Sequence, residues 1–421
     1  MYKYKEAKHN NYQFDLDDNT NEIVKDIIAK VKLEGDNTLL EFVKRFDQVK
    51  IDNIYVSKKE RKQVYEAMPK KLKEALLFAR NQIEFFANKQ LSLYQNLESE
   101  NIPGVTLGHR IIPVSSCGCY VPAGRYPLPS SALMSIVPAK VAGVERVVAV
   151  APPSRDYDSI HPVVLAAMYI AGADEVYISG GAQAIAALAY GTETINKVDM
   201  IVGPGNRYVT EAKRQVNGIV GIDQLAGPSE VLIIADDSAD IKKVATDLLA
   251  QAEHDPDAKC ILVTTNESIA KYVEIELKKT ITSIDTFDTA NDSWSNYGEI
   301  IIVESLDEAI KISDEVAPEH LQLLTKYNDQ LMNRVKHFGS LFVGEWSSVA
   351  FGDYVSGTNH ILPTGCSARF NSGLTVGTFL KTSSFQKISK EGAKSLAYHC
   401  SDLADLEGLD AHKKSSNLRI D

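Results

Sequence analysis

A glutamine and a histidine three residues apart, Gln251 and His254, close a stretch (240–254) in which Ile241, Val244, Ala245, Leu248 and Leu249 recur at helix spacing. Asp240 suits its N-cap. The pair continues the inward stripe, and buried polar groups need partners. It therefore reads either as two metal ligands or as a capping histidine beside a surface glutamine. A second group is Ala317-Pro318-Glu319-His320, where proline followed by glutamate predicts a helix start. Glu319 is then either a first-turn acid favoured by the helix dipole or half of an acid/base pair with His320, whose pKa the dipole would lower, keeping it neutral. The loop 352–365 carries Asp353 and His360 among glycines, a proline and short polar residues. Both suit metal or proton chemistry, and an ordinary turn-rich loop has the same composition. Glu407 and His412 lie in the tail without a core-packing role, as a reactive pair or a solvated surface turn. Two glycine turns, Ser179-Gly180-Gly181-Ala182-Gln183 and Gly203-Pro204-Gly205-Asn206, each follow a strand-like run. Such junctions can turn backbone N–H groups toward a phosphate, yet neither is the G-x-G-x-x-G fingerprint of a standard dinucleotide site.

The elements that must hold these residues alternate. Short β-branched runs (146–150, 175–179, 200–202) are interleaved with Ala-rich helical stretches (160–171, 182–190), the pattern of βαβ units on a parallel sheet. The pattern resumes at 231–235, 241–254 and 261–264, with further runs at 300–303 and 341–343. Two α/β blocks are expected, near 120–229 and 230–365. Residues 20–97 read as helices, with Ile23, Val24, Ile27, Ile28 and Val31 on one face and Leu72, Ala75, Leu76 and Ala79 on another; they are expected to join the second block. After Gly373 no strand is expected. Residues 374–421 form a polar, helical tail that cannot fold alone and must pack on the body or on another subunit.

With 44% hydrophobic and 24% charged residues, the 421-residue chain has globular composition and enough length for two or more domains without disulfides or a structural metal. A net charge of −11 with no basic block argues against nucleic acid or an anionic membrane as partner. Five scattered cysteines make no disulfide framework. Cys117 and Cys119 form a C-x-C with no second pair to complete a thiolate zinc site, and read as reduced structural thiols. Residues 1–20 lack the apolar core of a signal peptide, and no stretch has the apolar length of a bilayer span, so a soluble, cytoplasmic protein is expected.

Each group is ambiguous alone, but the set in this order is specific. Residues 180–188 (Gly-Gly-Ala-Gln-Ala-Ile-Ala-Ala-Leu), 202–206 (Val-Gly-Pro-Gly-Asn), 226–230 (Ala-Gly-Pro-Ser-Glu), 251–254 (Gln-Ala-Glu-His), 317–320 (Ala-Pro-Glu-His) and 357–360 (Gly-Thr-Asn-His) together resemble the histidinol dehydrogenase family. The resemblance runs from about Val114 to the C-terminus, and more loosely through the N-terminal helices. It implies an α/β fold of two incomplete Rossmann-like parallel-sheet domains with small helical N- and C-terminal segments. The divisions would be an N-terminal segment 1–20, a first α/β domain of 21–119 plus 230–373 with the metal and catalytic residues, a second of 120–229 on the NAD side, and the tail 374–421. The family is an intertwined homodimer, and each tail would complete the partner's site.

The resemblance further implies one zinc ion per subunit, held by Gln251, His254, Asp353 and His412, with Glu319 and His320 as catalytic bases. Ser229, His320, His360 and Glu407 would line the substrate site beside the metal ligands, and NAD would contact Tyr120, Gln183 and Asn206. The implied reaction is oxidation of histidinol to histidine through the aldehyde with two NAD, the last steps of histidine biosynthesis. His320 would take the alcohol proton and Glu319 would activate water. Residues 124–134 depart from the commoner family form, in which a few small residues separate the basic residue from Tyr-Pro; residues 376–382 are somewhat similar to a branch that oxidises sulfonated diols. Another small alcohol is therefore the rival substrate. A zinc hydrolase with Glu319 as its base leaves the glycine-turn blocks without a purpose, and a metal-stabilised binding protein would show no turnover.

Overall fold

Runs of β-branched and aliphatic residues between glycine turns become two separate sheets in the computed structural model, which describes residues 1–9, 18–123 and 126–420. The first sheet has five parallel strands in the order Glu175–Ile178, Arg146–Ala151, Ser116–Tyr120, Met200–Val202 and Gly221–Ile222. The second has six, in the order Tyr2–Lys5, Gly298–Ile302, Lys259–Thr264, Glu230–Ala235, His320–Leu324 and Ser340–Val343. Its N-terminal edge strand runs antiparallel and the others parallel. Glu230–Ala235 and Gly298–Ile302 are buried along their whole length, which is why they read as continuous apolar runs rather than alternating ones. The expected pair of Rossmann-like parallel-sheet domains is present, and residues 223–229 carry the chain from one sheet to the other.

The N-terminal helices pack differently from the expectation that joined residues 21–119 to 230–373. Asp18–Glu34 lies on Gly181–Tyr190 and Arg207–Val216, Lys58–Ala67 on Pro162–Ala171, and Lys70–Leu91 on Pro129–Ala142. All of these cover the five-stranded sheet, of which Ser116–Tyr120 is the middle strand. The stripe Val24, Ile27, Ile28 and Val31 shares its core with Ala182, Ala184, Ala186 and Ala189. Such small side chains allow a second helix layer to approach closely, and periodicity alone carries no information about which sheet offers that surface.

The tail is corrected as well. Leu380–Ile388 is a nine-residue strand, antiparallel to Val105–Pro113, which in turn pairs with Leu97–Ile102. Its side chains are exposed over most of its length, so neither face had to be apolar and no alternation marked it. Backbone pairing holds it instead. The helices Lys390–Leu406 and Asp410–Asn417 pack on each other and leave Tyr398, Leu403, Leu406 and Leu418 exposed. All five cysteines are unpaired, with Cys117, Cys119 and Cys260 buried. Among the described residues no helix is long and apolar enough to cross a membrane.

Candidate active site

A cavity of about 770 Å³ opens between the two sheets. The five-stranded sheet reaches it with the carboxyl ends of its strands: Pro122 follows Ser116–Tyr120, and Pro204, Gly205 and Asn206 follow Met200–Val202. The six-stranded sheet reaches it with amino ends. Glu230, Lys259 and His320 are the first residues of three adjacent strands, and all three line the cavity.

The helix Leu306–Val316 ends at Ala317, which is left-handed with φ 48° and donates its N–H to the Ser313 carbonyl. Pro318 follows, and His320 opens a strand. The expected helix start at Pro318 is thereby corrected. Proline's fixed φ suits an extended segment as well as a first helical turn, and the buried Leu321 and Leu323 belong to a sheet core. His320 opens a strand and not a helix, and the expected lowering of its pKa is reversed too. Burial lowers it, but the Glu319 carboxylate and Asp353 outweigh burial and raise His320 to about 9. Burial pushes the Glu319 carboxyl up to about 7, against the opposing charge of His320.

One residue's backbone holds both groups. The Glu230 N–H donates to Glu319 Oε2 at 2.9 Å, and the Glu230 carbonyl lies 2.9 Å from His320 Nδ1. A carbonyl can only accept, so Nδ1 carries hydrogen. His320 Nε2 has no hydrogen-bond partner and lies 3.6 Å from Asp353 Oδ1. The Glu230 carboxylate is itself buried and accepts from Lys259 Nζ at 3.3 Å and the Gly365 N–H at 3.2 Å.

Gln251 closes the helix Ile241–Ala252, and His254 follows two residues past its end. Asp240 caps that helix as expected, accepting the N–H groups of Lys242 and Lys243. Gln251 is buried and its Nε2 has no partner. His254 lines the cavity with its pKa lowered by burial, opposed by Asp353. Asp353 sits in a short helix, Val349–Tyr354, where the composition had suggested a loop. Burial raises its pKa, but the neighbouring His320 imidazole, with His360 and His254, brings it below the usual value. His360 is bonded at both ring nitrogens, Nδ1 to the Asp353 carbonyl at 3.0 Å and Nε2 to Ser131 Oγ at 3.2 Å.

Among the described residues no three His, Cys, Asp or Glu side chains gather to hold a metal. What one chain offers is an imidazole and a carboxylate lining the cavity, His254 and Asp353. The amide of Gln251 is buried, is not among the described lining residues and would ligate through its oxygen. These nitrogen and oxygen donors fit a three-donor zinc site that takes its fourth group from elsewhere.

On the opposite wall, Asn206 caps the helix Arg207–Val216 by accepting the N–H groups of Tyr208 and Val209 at 3.0 and 3.2 Å. Gly203 has φ 116°, and a Cβ there would stand 2.2 Å from the Tyr120 carbonyl oxygen, so the turn requires glycine. Tyr120 Oη accepts the Gly181 N–H at 3.1 Å, and Gln183 is buried early in Gly181–Tyr190. Asn206 and Ser229 line the cavity; among its described lining residues Tyr120 and Gln183 do not appear.

Glu407 and His412 are not brought to the cavity of the same chain. Glu407 caps the end of Lys390–Leu406, His412 lies in Asp410–Asn417, and both are exposed. Of the divergent segment 124–134, Gly124 and Arg125 fall outside the described residues, whereas Leu128, Ser130 and Ser131 line the cavity. Ser131, Glu230 and Lys259 carry no mark in the sequence as site residues. Two serines opening the largely apolar helix Pro129–Ala142 were the available signal for the first, and a single charge at a strand start marks neither of the others.

The family model for histidinol dehydrogenase matches residues 11–420. A histidinol dehydrogenase homolog of Shouchella clausii is 44% identical over 397 residues, covering 94% of this chain and 93% of that protein. Histidinol dehydrogenase of Methanocaldococcus jannaschii is 45% identical over 397 residues, covering 94% of this chain and 92% of that protein. The crystal structure of histidinol dehydrogenase from Elizabethkingia anophelis is similar with a TM-score of 0.92 at 35% identity, covering 97% of this chain and 94% of that one.

Proposed function

This chain belongs to the histidinol dehydrogenase family of NAD-dependent oxidoreductases, and on that premise we propose that it oxidises L-histidinol to L-histidine through histidinaldehyde, consuming two NAD. The observation that carries this reading is the buried pair Glu319 and His320, held by one residue's backbone beside His254 and Asp353. Two adjacent bases in different environments suit two chemically different proton transfers.

Gln251, His254 and Asp353 would hold a zinc ion, which supplies Lewis-acid anchoring of the substrate's amino and imidazole nitrogens when bound. NAD would be held by Asn206, Tyr120 and Gln183 and would supply the hydride acceptor. His320 Nε2, the unpartnered ring nitrogen, would take the alcohol proton; with its pKa raised to about 9, the ring does so in its deprotonated form, favoured at alkaline pH. Glu319 takes the proton of the water that attacks the aldehyde, and its burial keeps bulk water from the carboxylate. Glu230 fixes the angle of both bases through its N–H and carbonyl. Ser229 and His360 line the substrate space.

Glu407 and His412 would come from a second copy of the chain, giving a homodimer in which each tail completes the other's site. The polar tail, with Leu403 and Leu406 exposed, supports this. The residue types, the charge and the biosynthetic reaction fit a cytoplasmic enzyme. A second reading keeps the chemistry and changes the alcohol, because the divergent segment contributes Leu128, Ser130 and Ser131 to the cavity wall. The test is NADH formed per L-histidinol consumed by the zinc-loaded protein. A ratio near two supports the proposal. No NADH from histidinol, with turnover of a sulfonated or other small diol, would replace the substrate and leave the bases in place.

A further inference from the structure

The Gly203–Asn206 turn is gripped by two buried charges that the proposed reaction does not use. Lys213, on the helix Arg207–Val216, and Asp223, just past the strand Gly221–Ile222, form an ion pair whose side chains are each 3% exposed. Asp223 Oδ2 accepts the Gly203 N–H at 2.8 Å, and Lys213 Nζ donates to the Gly203 carbonyl at 3.0 Å. Both backbone polar groups of one glycine are thus satisfied by opposite ends of one ion pair. Asp223 Oδ1 also accepts the Gln224 N–H at 2.7 Å. A neighbouring tie, Thr210 Oγ1 donating to the Ala226 carbonyl at 2.7 Å, fastens the same helix to the same crossover.

That crossover, residues 223–229, ends at Ser229 and lines the cavity with Ala226, Gly227 and Pro228. The pair therefore links the glycine turn on one wall to the segment that carries Ser229 on the other. Pro204 has no N–H and that of Gly203 is occupied, so the donors left on the turn are those of Gly205 and Asn206, which line the cavity. Stability alone does not explain the pair. Burying two charges costs desolvation that an apolar pair of similar volume would avoid, and what the charges add is a single defined geometry.

We propose that Lys213 and Asp223 are positioning residues that shape the Gly203–Asn206 turn for the dinucleotide. This rests on the reading that NAD occupies that wall. The experiment is an NADH fluorescence titration and steady-state kinetics on the full-length protein, wild type beside Lys213→Met/Asp223→Asn, Lys213→Arg and Asp223→Asn. The double variant removes both charges and so leaves none unpaired. It is expected to fold, to weaken NADH binding and raise KM for NAD by about tenfold, and to hold kcat and KM for the alcohol within about twofold. Lys213→Arg should recover most of the binding, a rescue that a space-filling role would not need. Asp223→Asn alone leaves Lys213 buried without a counter-charge, so it should lose at least as much NADH affinity as the double variant, and it gives a readout if the double variant fails to fold. Wild-type protein that binds no NADH would overturn the cofactor reading and the clamp together. Wild-type binding with undiminished affinity in the folded double variant, or in Asp223→Asn where the double variant does not fold, would overturn the clamp alone. Equal losses in NAD KM, alcohol KM and kcat would also overturn it, by marking the pair as general scaffolding.

Discussion

The five-stranded sheet meets the cleft with the carboxyl ends of its strands, and the six-stranded sheet meets it with the amino ends. In a parallel sheet a strand's carboxyl end feeds a helix N-terminus, whereas its amino end is fed by a helix C-terminus. The first edge presents free N–H groups and partial positive charge; the second presents carbonyls and partial negative charge. Asn206 stands at a helix N-terminus, the place for an anionic phosphate. His254 follows the C-terminus of Ile241–Ala252, and Glu319 and His320 follow that of Leu306–Val316, the place for a cation. A single type of α/β unit therefore supplies opposite electrostatics to the two walls, according to which edge faces the ligand. Cofactor affinity and base or metal chemistry should accordingly be separable by mutation.

The largest effect is expected from the six-stranded wall. His254→Asn or Asp353→Asn should lose bound metal and at least about a thousandfold in kcat, with NADH affinity near wild type and the fold intact. Metal analysis, turnover and NADH titration check this together; a parallel loss of NADH binding would join the two walls into one unit. Removal of residues 407–421 should likewise abolish turnover while a folded, NADH-binding chain survives, and full activity in that truncation would remove the tail from the site. Glu319→Gln comes next, slowing aldehyde oxidation by about a hundredfold more than alcohol oxidation. Equal slowing of both steps would end the division of labour between the bases.

A smaller, graded effect is expected from pH. Glu319 acts as a base only when ionised, and its carboxyl is raised to about 7. Aldehyde oxidation should therefore rise with pH, by about tenfold for each step of one in pH below that midpoint, and level off above it. A flat profile across that range would place the base elsewhere. The smallest effect belongs to the five-stranded wall. Asn206→Ala removes the cap on Tyr208 and Val209, for about 1 kcal/mol of stability, and should raise KM for NAD severalfold while kcat is kept. A fall in kcat without a change in KM would break the comparison from the other side.

Much of this was legible in the chain itself. The strands around 146–150 and 231–235 announced themselves because burial on both faces demands uninterrupted apolar residues. Asp240 was legible as a cap because its side chain answers a local need of the adjacent backbone. Leu380–Ile388 was not legible: its side chains face water and its stability comes from pairing with a segment some 270 residues earlier, Val105–Pro113. Pro318-Glu319 read as a helix start because the same two residue types serve an extended entry, and only the left-handed Ala317 before them separates the cases. Lys259 gave no local sign of facing the cavity, since a single charge at a strand start is as common on a solvated surface.

By itself the sequence determined the local and the chemical: which runs are buried strands, that Asp240 caps a helix, and which side chain types are able to hold a metal or move a proton. Those properties depend on a residue and its near neighbours, and so are written in spacing and composition. The tertiary structure alone decided which sheet the N-terminal helices cover, which edge of each sheet faces the cleft, and that the backbone of Glu230 holds Glu319 and His320 together. Those depend on contacts between segments far apart in the chain. A hydrophobic stripe requires an apolar partner without specifying which one, and a carboxylate's pKa follows from the charges and burial that folding brings to it.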